Sequence, residues 1–218
     1  SFSQKRFVDA LRKEIGHTRS NCPFDRFFCL NSGSEAVTLA ARIADINTRI
    51  RTDPNGRHAS KPVRILSLKG SFHGRTDRPA RFSDSTRPAC CKYLASFRDY
   101  DNLLTVEPNN ISQLEQVFDY ADKHQLFIEA FFMEPVMGEG NPGEAITPEF
   151  YTRARELTKE HGCLLLIDSI QAGLRAHGVL SICDYPGFED LEAPDMETYS
   201  KAMNGGQYPL SVLALNKP

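Results

Sequence analysis

The stretch Thr147–Asp168, TPEFYTRARELTKEHGCLLLID, decides the fold class because it places a complete helix directly before an apolar strand. Thr147 supplies a capping side chain, Pro148 suits the first helical position, and Gly162 is a typical helix end. The run CLLLID lacks the alternation of a half-exposed strand, which indicates a strand covered on both faces. A helix that leads into such a strand predicts an α/β sheet.

The alternation of helices and strands continues on both sides of this stretch. LFIEAFFMEP, residues 126–135, is a second apolar run of strand length. Further strands are predicted at DRFFCLN, as a short buried strand, and at VRILSLK, METYS and LSVLAL, with helices over 34–51 and 111–125. The sequence therefore predicts one α/β domain with a mostly parallel central sheet covered on both sides.

Composition excludes several classes of function. A net charge of -2 and scattered Lys and Arg residues give no basic surface for nucleic acid. No apolar run approaches the roughly 20 residues that cross a bilayer, so we expect a soluble protein with no membrane partner. Six cysteines without a C-x-x-C pair predict reduced, mostly buried thiols and no metal site. We therefore expect a reducing compartment, with cytoplasm and mitochondrial matrix not distinguished.

Ligands bind at the carboxyl ends of the strands in such a sheet, so these ends are the candidate site. Asp168 ends CLLLID, where a buried carboxylate is costly without a cationic partner. A magnesium-binding Walker B aspartate would need a G-x-x-x-x-G-K-[ST] loop, which the sequence lacks. The partner is either an internal Arg or Lys, or the protonated ring nitrogen of a ligand.

The strand end NSGSEA allows two interpretations, as does the aromatic in KGSFHGRT. Ser32 and Glu35 match a capping box, while the amides of Gly33 and Ser34 at the same helix start suit a phosphate. Phe72 is either a core aromatic or a platform for a planar ring.

Three further residues at these ends carry chemistry in one interpretation and none in the other. His73 is either a hydrogen-bonded loop histidine or a ligand contact, and Arg75 is either a surface charge or a carboxylate clamp. Lys201, between METYS and a Gly-Gly turn, is either a nucleophile or a solvated charge. A lysine able to form an imine, a buried aspartate, a helix start and an aromatic face together suit pyridoxal phosphate.

Five blocks in the order NSGSEAV, SFHGRT, EPVMGEG, IDSIQAG and TYSKAMNGG resemble the signature blocks of class III (ω-) aminotransferases. These are pyridoxal-phosphate enzymes of fold type I, among them 4-aminobutyrate and ornithine aminotransferases. The resemblance implies an aspartate-aminotransferase-like large domain and transfer of an amino group from an amine or ω-amino acid to a keto acid. A decarboxylase, racemase or aminomutase on this scaffold is one alternative, and a non-catalytic module of the same fold is another.

The resemblance also implies a role for each candidate residue. Lys201 is the Schiff-base lysine, which we expect to be desolvated, and Asp168 keeps the pyridine nitrogen protonated. The implied cofactor contacts are Ser32, Gly33 and Ser34 at the phosphate, Phe72 and Ile170 on the ring faces, Gln171 at the phenolic oxygen, and His73. Arg75 corresponds to an arginine that binds the substrate carboxylate, and Glu139 to a glutamate that gates an arginine near the substrate.

The chain departs from the family pattern beside the aspartate. The family usually reads DEVQTG, whereas this chain reads DSIQAG, with Ser169 in the place of the glutamate. The following LRAHG lacks the usual Gly-Arg-Thr. These changes leave Asp168 and Lys201 in place and bear on substrate identity and loop position.

The resemblance further implies a homodimer in which a threonine of the neighbouring subunit contacts the phosphate, from a block that follows the lysine strand. No such block occurs before Pro218, and the first residue is not Met. The apolar stripe of Phe7, Leu11 and Ile15 on the first helix has no obvious partner in the chain. We therefore expect residues 1–218 to be the cofactor-binding large domain of a longer homodimeric enzyme, lacking N- and C-terminal segments and weakly active alone.

Overall fold

The computed structural model describes residues 2–98 and 101–216, and this part of the chain contains six α-helices and seven strands. The helices are α1 (Phe2–Glu14), α2 (Gly33–Thr52), α3 (Asp77–Phe82), α4 (Arg87–Tyr93), α5 (Ile111–Lys123) and α6 (Pro148–His161). The strands are β1 (Phe24–Leu30), β2 (Val63–Leu68), β3 (Leu103–Val106), β4 (Phe127–Met133), β5 (Leu164–Asp168), β6 (Met196–Tyr199) and β7 (Ser211–Asn216).

The strands form one sheet in the order β1-β7-β6-β5-β4-β2-β3. The neighbours from β6 to β3 pair in parallel, while β7 runs antiparallel to both β1 and β6. The carboxyl ends of β2, β4, β5 and β6 therefore lie at the same edge of the sheet. This arrangement confirms the predicted mostly parallel α/β sheet.

Helices cover both faces of the sheet, as the apolar run at β4 predicts. Every residue of β4 is buried. Ala130 and Phe132 pack in a cluster with α2 and α3, while Phe131 and Met133 pack in a cluster with α5 and α6 on the opposite face. The domain thus has three layers, and the sheet edge formed by the carboxyl ends of its strands is fixed by core packing on both sides.

The helix α6 has the ends that its sequence predicts. The Thr147 side chain accepts a hydrogen bond from the backbone amide of Phe150 at 3.2 Å, and Pro148 occupies the first turn. Gly162 ends the helix with φ +70°, a left-handed conformation that favours glycine. These ends set the length of the helix that delivers the chain to β5.

Two expectations about the amino-terminal part are wrong. The strand β1 is not buried along its length, because it lies at the sheet edge and pairs with β7 alone. The stripe on α1 does have a partner: Leu11 and Ile15 are 4% and 0% exposed and belong to the same core cluster as Phe24, with Phe7 packed against it. The turn after α1 is anchored by Asp184, which accepts from the Gly16 amide at 2.7 Å.

The cysteines and the helices meet the remaining expectations in part. All six cysteines are free thiols, but only Cys163 and Cys183 are fully buried, so the expectation of mostly buried thiols is wrong. In residues 2–98 and 101–216, no helix combines the length and the apolar character that crossing a membrane requires.

Candidate functional site

A cavity of about 150 Å³ opens at the carboxyl ends of the parallel strands. Every residue that the sequence predicts as a cofactor contact lines this cavity, together with Gly74 and Ser200. The predicted contacts on its wall are Ser32, Gly33, Ser34, Phe72, His73, Asp168, Ile170, Gln171 and Lys201. Segments far apart in sequence therefore meet at the carboxyl ends of the strands, where ligand sites of such sheets are expected.

Asp168 is held at the cavity by three hydrogen bonds. Its Oδ2 lies 2.9 Å from His73 Nδ1, and its Oδ1 accepts from Thr198 Oγ1 at 3.0 Å and from the Ile170 amide at 3.3 Å. Both Asp168 and His73 are buried, at 3% and 2% exposure. No Arg or Lys in the described residues forms an ion pair with Asp168, so the internal partner is His73 rather than the Arg or Lys that we considered.

The Asp168 carboxylate retains capacity for one more hydrogen bond. An ionised carboxylate offers about four lone-pair directions, and protein donors use three of them here. Since Asp168 also lines the cavity, the remaining acceptor capacity is available to a donor bound there.

Glu134 fixes the two loops that follow β2 and β4. Its Oε2 accepts from the Phe72 amide at 2.8 Å, and its Oε1 accepts from the Gly138 amide at 3.2 Å. Burial, with a smaller contribution from the nearby Asp168 carboxylate, raises the pKa of Glu134 to about 7 against the opposing effects of His73 and of the two amide hydrogen bonds. Glu134 thus positions the aromatic wall of the cavity from behind.

The start of α2 combines both interpretations of NSGSEA. The capping box is present, since Ser32 accepts from the Glu35 amide and the Glu35 carboxylate accepts from the Ser32 amide at 2.8 Å. The amides of Gly33 and Ser34 have no acceptor within α2, because they belong to its first turn. A Cβ at Gly33 would lie 2.7 Å from Ile170 Cδ1, so any other residue here would require the Ile170 side chain to shift.

Gln171 lies between the cavity and the loop after β4. Its Nε2 is buried and has no hydrogen-bond partner in the described part of the chain. A Cβ at Gly138 would lie 2.4 Å from Gln171 Oε1, so this glycine makes room for the amide. The site therefore contains a buried donor with no protein acceptor.

Lys201 also lines the cavity, at the start of the 3-10 turn Lys201–Asn204. Its φ is +46°, a conformation that is uncommon outside glycine and that clusters at functional sites. The residue is exposed and forms no hydrogen bond or ion pair within residues 2–98 and 101–216. The expectation of a desolvated lysine is wrong for this structure.

The two predicted substrate residues do not line the cavity. Arg75 is exposed, and its guanidinium carbon lies 5.5 Å from the centre of the Phe72 ring. Glu139 is half-buried in the loop after β4. Arg75 thus lies beside the aromatic wall, and the roles of both residues stay predictions.

Several positioning residues escaped the sequence interpretation. Thr198 contacts Asp168 because β5 and β6 pair them directly across the sheet, and Ser83 holds the His73 loop by accepting from the His73 amide at 2.8 Å. Glu134 directly follows one buried strand and Asp168 ends another. A carboxylate at the end of a buried strand is therefore the sequence pattern that could have identified Glu134. No local pattern identifies Thr198, since the strand register decides its neighbour.

The sheet order and this edge cavity define a three-layer α/β protein with a cavity lined by a helix start and an acidic strand end. Residues 2–217 match the family model described as Aminotransferase class-III, and the chain belongs to that family. The predicted family membership is confirmed, and the fold is the large-domain fold of these aminotransferases.

Named relatives are similar to this chain over most of its length. It is 31% identical over 189 residues to acetylornithine aminotransferase of Xanthomonas axonopodis pv. citri, covering 86% of this chain and 41% of that protein. It is 32% identical over 195 residues to ornithine aminotransferase 2 of Staphylococcus aureus, covering 88% and 44%. The structure of ornithine aminotransferase from Toxoplasma gondii ME49 matches with TM-score 0.70 at 25% identity, over 97% and 44%. The chain therefore spans less than half of these relatives.

The residues at the cavity fit pyridoxal phosphate, the cofactor of class III aminotransferases. Asp168 has spare acceptor capacity for a protonated ring nitrogen, and the Gln171 Nε2 donor lacks a protein partner. The amides at the start of α2 suit a phosphate at the positive end of the helix dipole. Phe72 and Ile170 supply aromatic and aliphatic walls for a planar ring.

Proposed function

We propose that this chain is the cofactor-binding domain, residues 1–218, of a pyridoxal-phosphate-dependent aminotransferase. The enzyme moves an amino group from an amine or ω-amino acid to a keto acid. The observation that carries the proposal is one cavity that is lined by all predicted cofactor contacts, Asp168 and Lys201 among them. The names of the relatives favour ornithine or a derivative of it as the donor.

Each residue at the cavity has a defined task in this proposal. Asp168 accepts a hydrogen bond from the ring nitrogen and holds the proton there, while His73 and Thr198 keep its carboxylate in place. The first-turn amides of α2 bind the phosphate. Gln171 donates to the phenolic oxygen, and Phe72 with Ile170 confines the ring.

Lys201 attaches the cofactor and transfers the proton. Its Nζ would move a proton from the substrate carbon that bears the amino group to the cofactor carbon in the first half-reaction, and in the opposite direction in the second half-reaction with the keto acid. Bound pyridoxal phosphate supplies the electron sink that makes this carbon acidic. Arg75, next to Phe72, binds the substrate carboxylate, and Glu139 governs access of an arginine to the substrate.

Assembly and compartment belong to the same proposal. We infer a homodimer, which sedimentation of the purified protein tests. Six free thiols favour a reducing compartment.

The test is product analysis with ornithine or 4-aminobutyrate as the donor, with and without 2-oxoglutarate. A transaminase forms glutamate only when the keto acid is present. Carbon dioxide release or isomerised donor without the keto acid would instead identify a decarboxylase, racemase or aminomutase. A folded protein that develops no visible cofactor absorbance would favour the non-catalytic module.

A further inference from the structure

Two consecutive residues of β6 hold the last residue of β5, Asp168, and the residue that follows it, Ser169, from opposite faces of the sheet. On the cavity face, Thr198 Oγ1 donates to Asp168 Oδ1 at 3.0 Å. On the opposite face, Glu197 Oε1 accepts from Ser169 Oγ at 2.6 Å. The Ser169 amide also donates to the Thr198 carbonyl at 3.0 Å. The peptide that joins Asp168 to Ser169 is therefore fixed on both sides.

Glu197 is an unusual residue for this place in the core. It is 0% exposed, and no Lys, Arg or His in the described residues forms an ion pair with it. Instead, Ser169 Oγ and Ser181 Oγ each donate to it at 2.6 Å, and the Ile182 amide donates at 3.0 Å. We call this set, Glu197 with Ser169, Ser181 and the Ile182 amide, the Glu197 clamp.

Burying a carboxylate is expensive, so the clamp needs a reason beyond packing. Burial raises the pKa of Glu197 to about 7, even though the hydrogen bonds from Ser169 and Ser181 act to lower it. An apolar side chain would fill the same strand position without this cost.

We propose that Glu197 is a positioning residue that fixes Ser169, and through it the Asp168 carboxylate, towards the ring nitrogen of the bound cofactor. This inference rests on the proposed function. Glu197 does not touch the cavity itself, and it acts through one hydroxyl and one peptide. We therefore expect Glu197 to affect the hydrogen bond between Asp168 and the ring nitrogen, and not the binding of the phosphate.

Two serines of the clamp provide a matched pair of variants. Ser169→Ala and Ser181→Ala each delete one hydroxyl that donates to Glu197 at 2.6 Å, and the residues are 1% and 0% exposed. Of the two serines, only Ser169 is joined to Asp168 by a peptide bond. Ser181 Oγ also accepts from the Cys183 amide at 3.1 Å, so Ser181→Ala costs at least as much stability.

The measurement is the Kd of pyridoxal phosphate and of its 1-deaza analogue, which has carbon in place of the ring nitrogen, for each purified variant. We expect Ser169→Ala to raise the Kd of pyridoxal phosphate about tenfold, as expected for a weakened hydrogen bond to a charged group. The Kd of the deaza analogue stays unchanged. Ser181→Ala changes neither Kd, although its Tm falls at least as far.

Substitutions of Glu197 itself give a second test. Glu197→Gln keeps an oxygen that accepts from Ser169 and retains the native Kd, whereas Glu197→Met reproduces the effect of Ser169→Ala. If Glu197→Met does not fold, the serine pair decides alone. Equal effects of the two serine variants, or equal effects on both ligands, would overturn the positioning role. Failure of the unaltered protein to bind pyridoxal phosphate would overturn the proposed function and this inference together.

Discussion

Asp168 and Lys201, the two key residues on the cavity wall, differ in how the chain holds them. Asp168 is 3% exposed and receives hydrogen bonds from His73, Thr198 and the Ile170 amide. Lys201 is exposed, has φ +46° and has no polar partner in the described part of the chain. Asp168 is part of the sheet, whereas Lys201 lies in a turn with a strained backbone. Substitution of Lys201 should therefore affect chemistry alone, and substitution of Asp168 should affect both chemistry and stability.

The largest effect is expected for Lys201→Ala. Loss of both the attachment and the proton transfer should lower kcat by at least about 10⁴-fold. Because Lys201 makes no polar contact with the described residues, the Tm should change little, and relief of the left-handed backbone strain is limited since alanine also disfavours it. Stopped-time assays and thermal melts check both parts. Turnover within a factor of about ten of the native value would contradict the assignment.

A smaller loss of activity, with a loss of stability, is expected for Asp168→Asn. Breaking a buried charge pair costs roughly 3–5 kcal/mol, which corresponds to a fall in kcat of about 10²–10⁴-fold. His73 loses its carboxylate partner, while the oxygen of asparagine still accepts from Thr198, so the Tm falls as well. Binding through the phosphate persists. An Asp168→Asn variant with the native kcat, or with the native Tm, would contradict the expected difference between Asp168 and Lys201.

The pH dependence of the free energy of unfolding tests the environment of the buried Glu134 carboxyl without any ligand. The folded pKa of Glu134 is about 7 against a reference of 4.5, so the carboxyl stays protonated in the native state while it ionises in the unfolded chain. Its contribution to stability is therefore complete below pH 4.5 and is lost as the pH rises towards 7. Within that window the loss is about 1.4 kcal/mol per pH unit.

The matched variant for this prediction is Glu134→Gln. Its free energy of unfolding, measured by denaturant titration at several pH values, should fall less steeply over the same window. The free energy of unfolding of the variant also differs from that of the native protein at every pH, because an amide accepts only one of the two backbone hydrogen bonds from Phe72 and Gly138. Curves of native protein and variant that stay parallel from pH 4.5 to 7 would show that Glu134 keeps its ordinary pKa.

The smallest effect is expected for Thr198→Val, which removes one donor to Asp168 while keeping the side-chain shape. The stability should fall by about 1 kcal/mol and kcat by about tenfold. His73 and the Ile170 amide continue to hold the carboxylate. Denaturation and steady-state kinetics measure the two quantities. A loss of kcat equal to that of Asp168→Asn would mean that Thr198 does more than position the aspartate.

The main sheet and the cavity wall were predictable because their signals are local. Continuous apolar runs identify β4 and β5, and the Thr147 and Gly162 ends define α6. Strand ends in a parallel sheet share an edge, which brings Asp168 and Lys201 together with the start of α2.

The remaining features depend on short elements or on distant contacts. The strand β3 has four residues, and α3 and α4 are short helices that each contain a proline, so none has a clear periodic pattern. The exposed edge position of β1 follows from sheet order, and the His73–Asp168 contact joins residues 95 apart in the chain. Register and topology decide these features, and a single sequence carries no local signal for them.

The most direct test of the central claim is to identify the lysine that binds the cofactor. Incubation with pyridoxal phosphate and reduction with borohydride converts a lysine–cofactor linkage into a stable secondary amine, which peptide mapping locates. We expect one major pyridoxyl label, on Lys201, with no label in Lys201→Ala and a retained label in Asp168→Asn. A label on another lysine, with Lys201 unmodified, would contradict the assignment of the site and of the mechanism built on it.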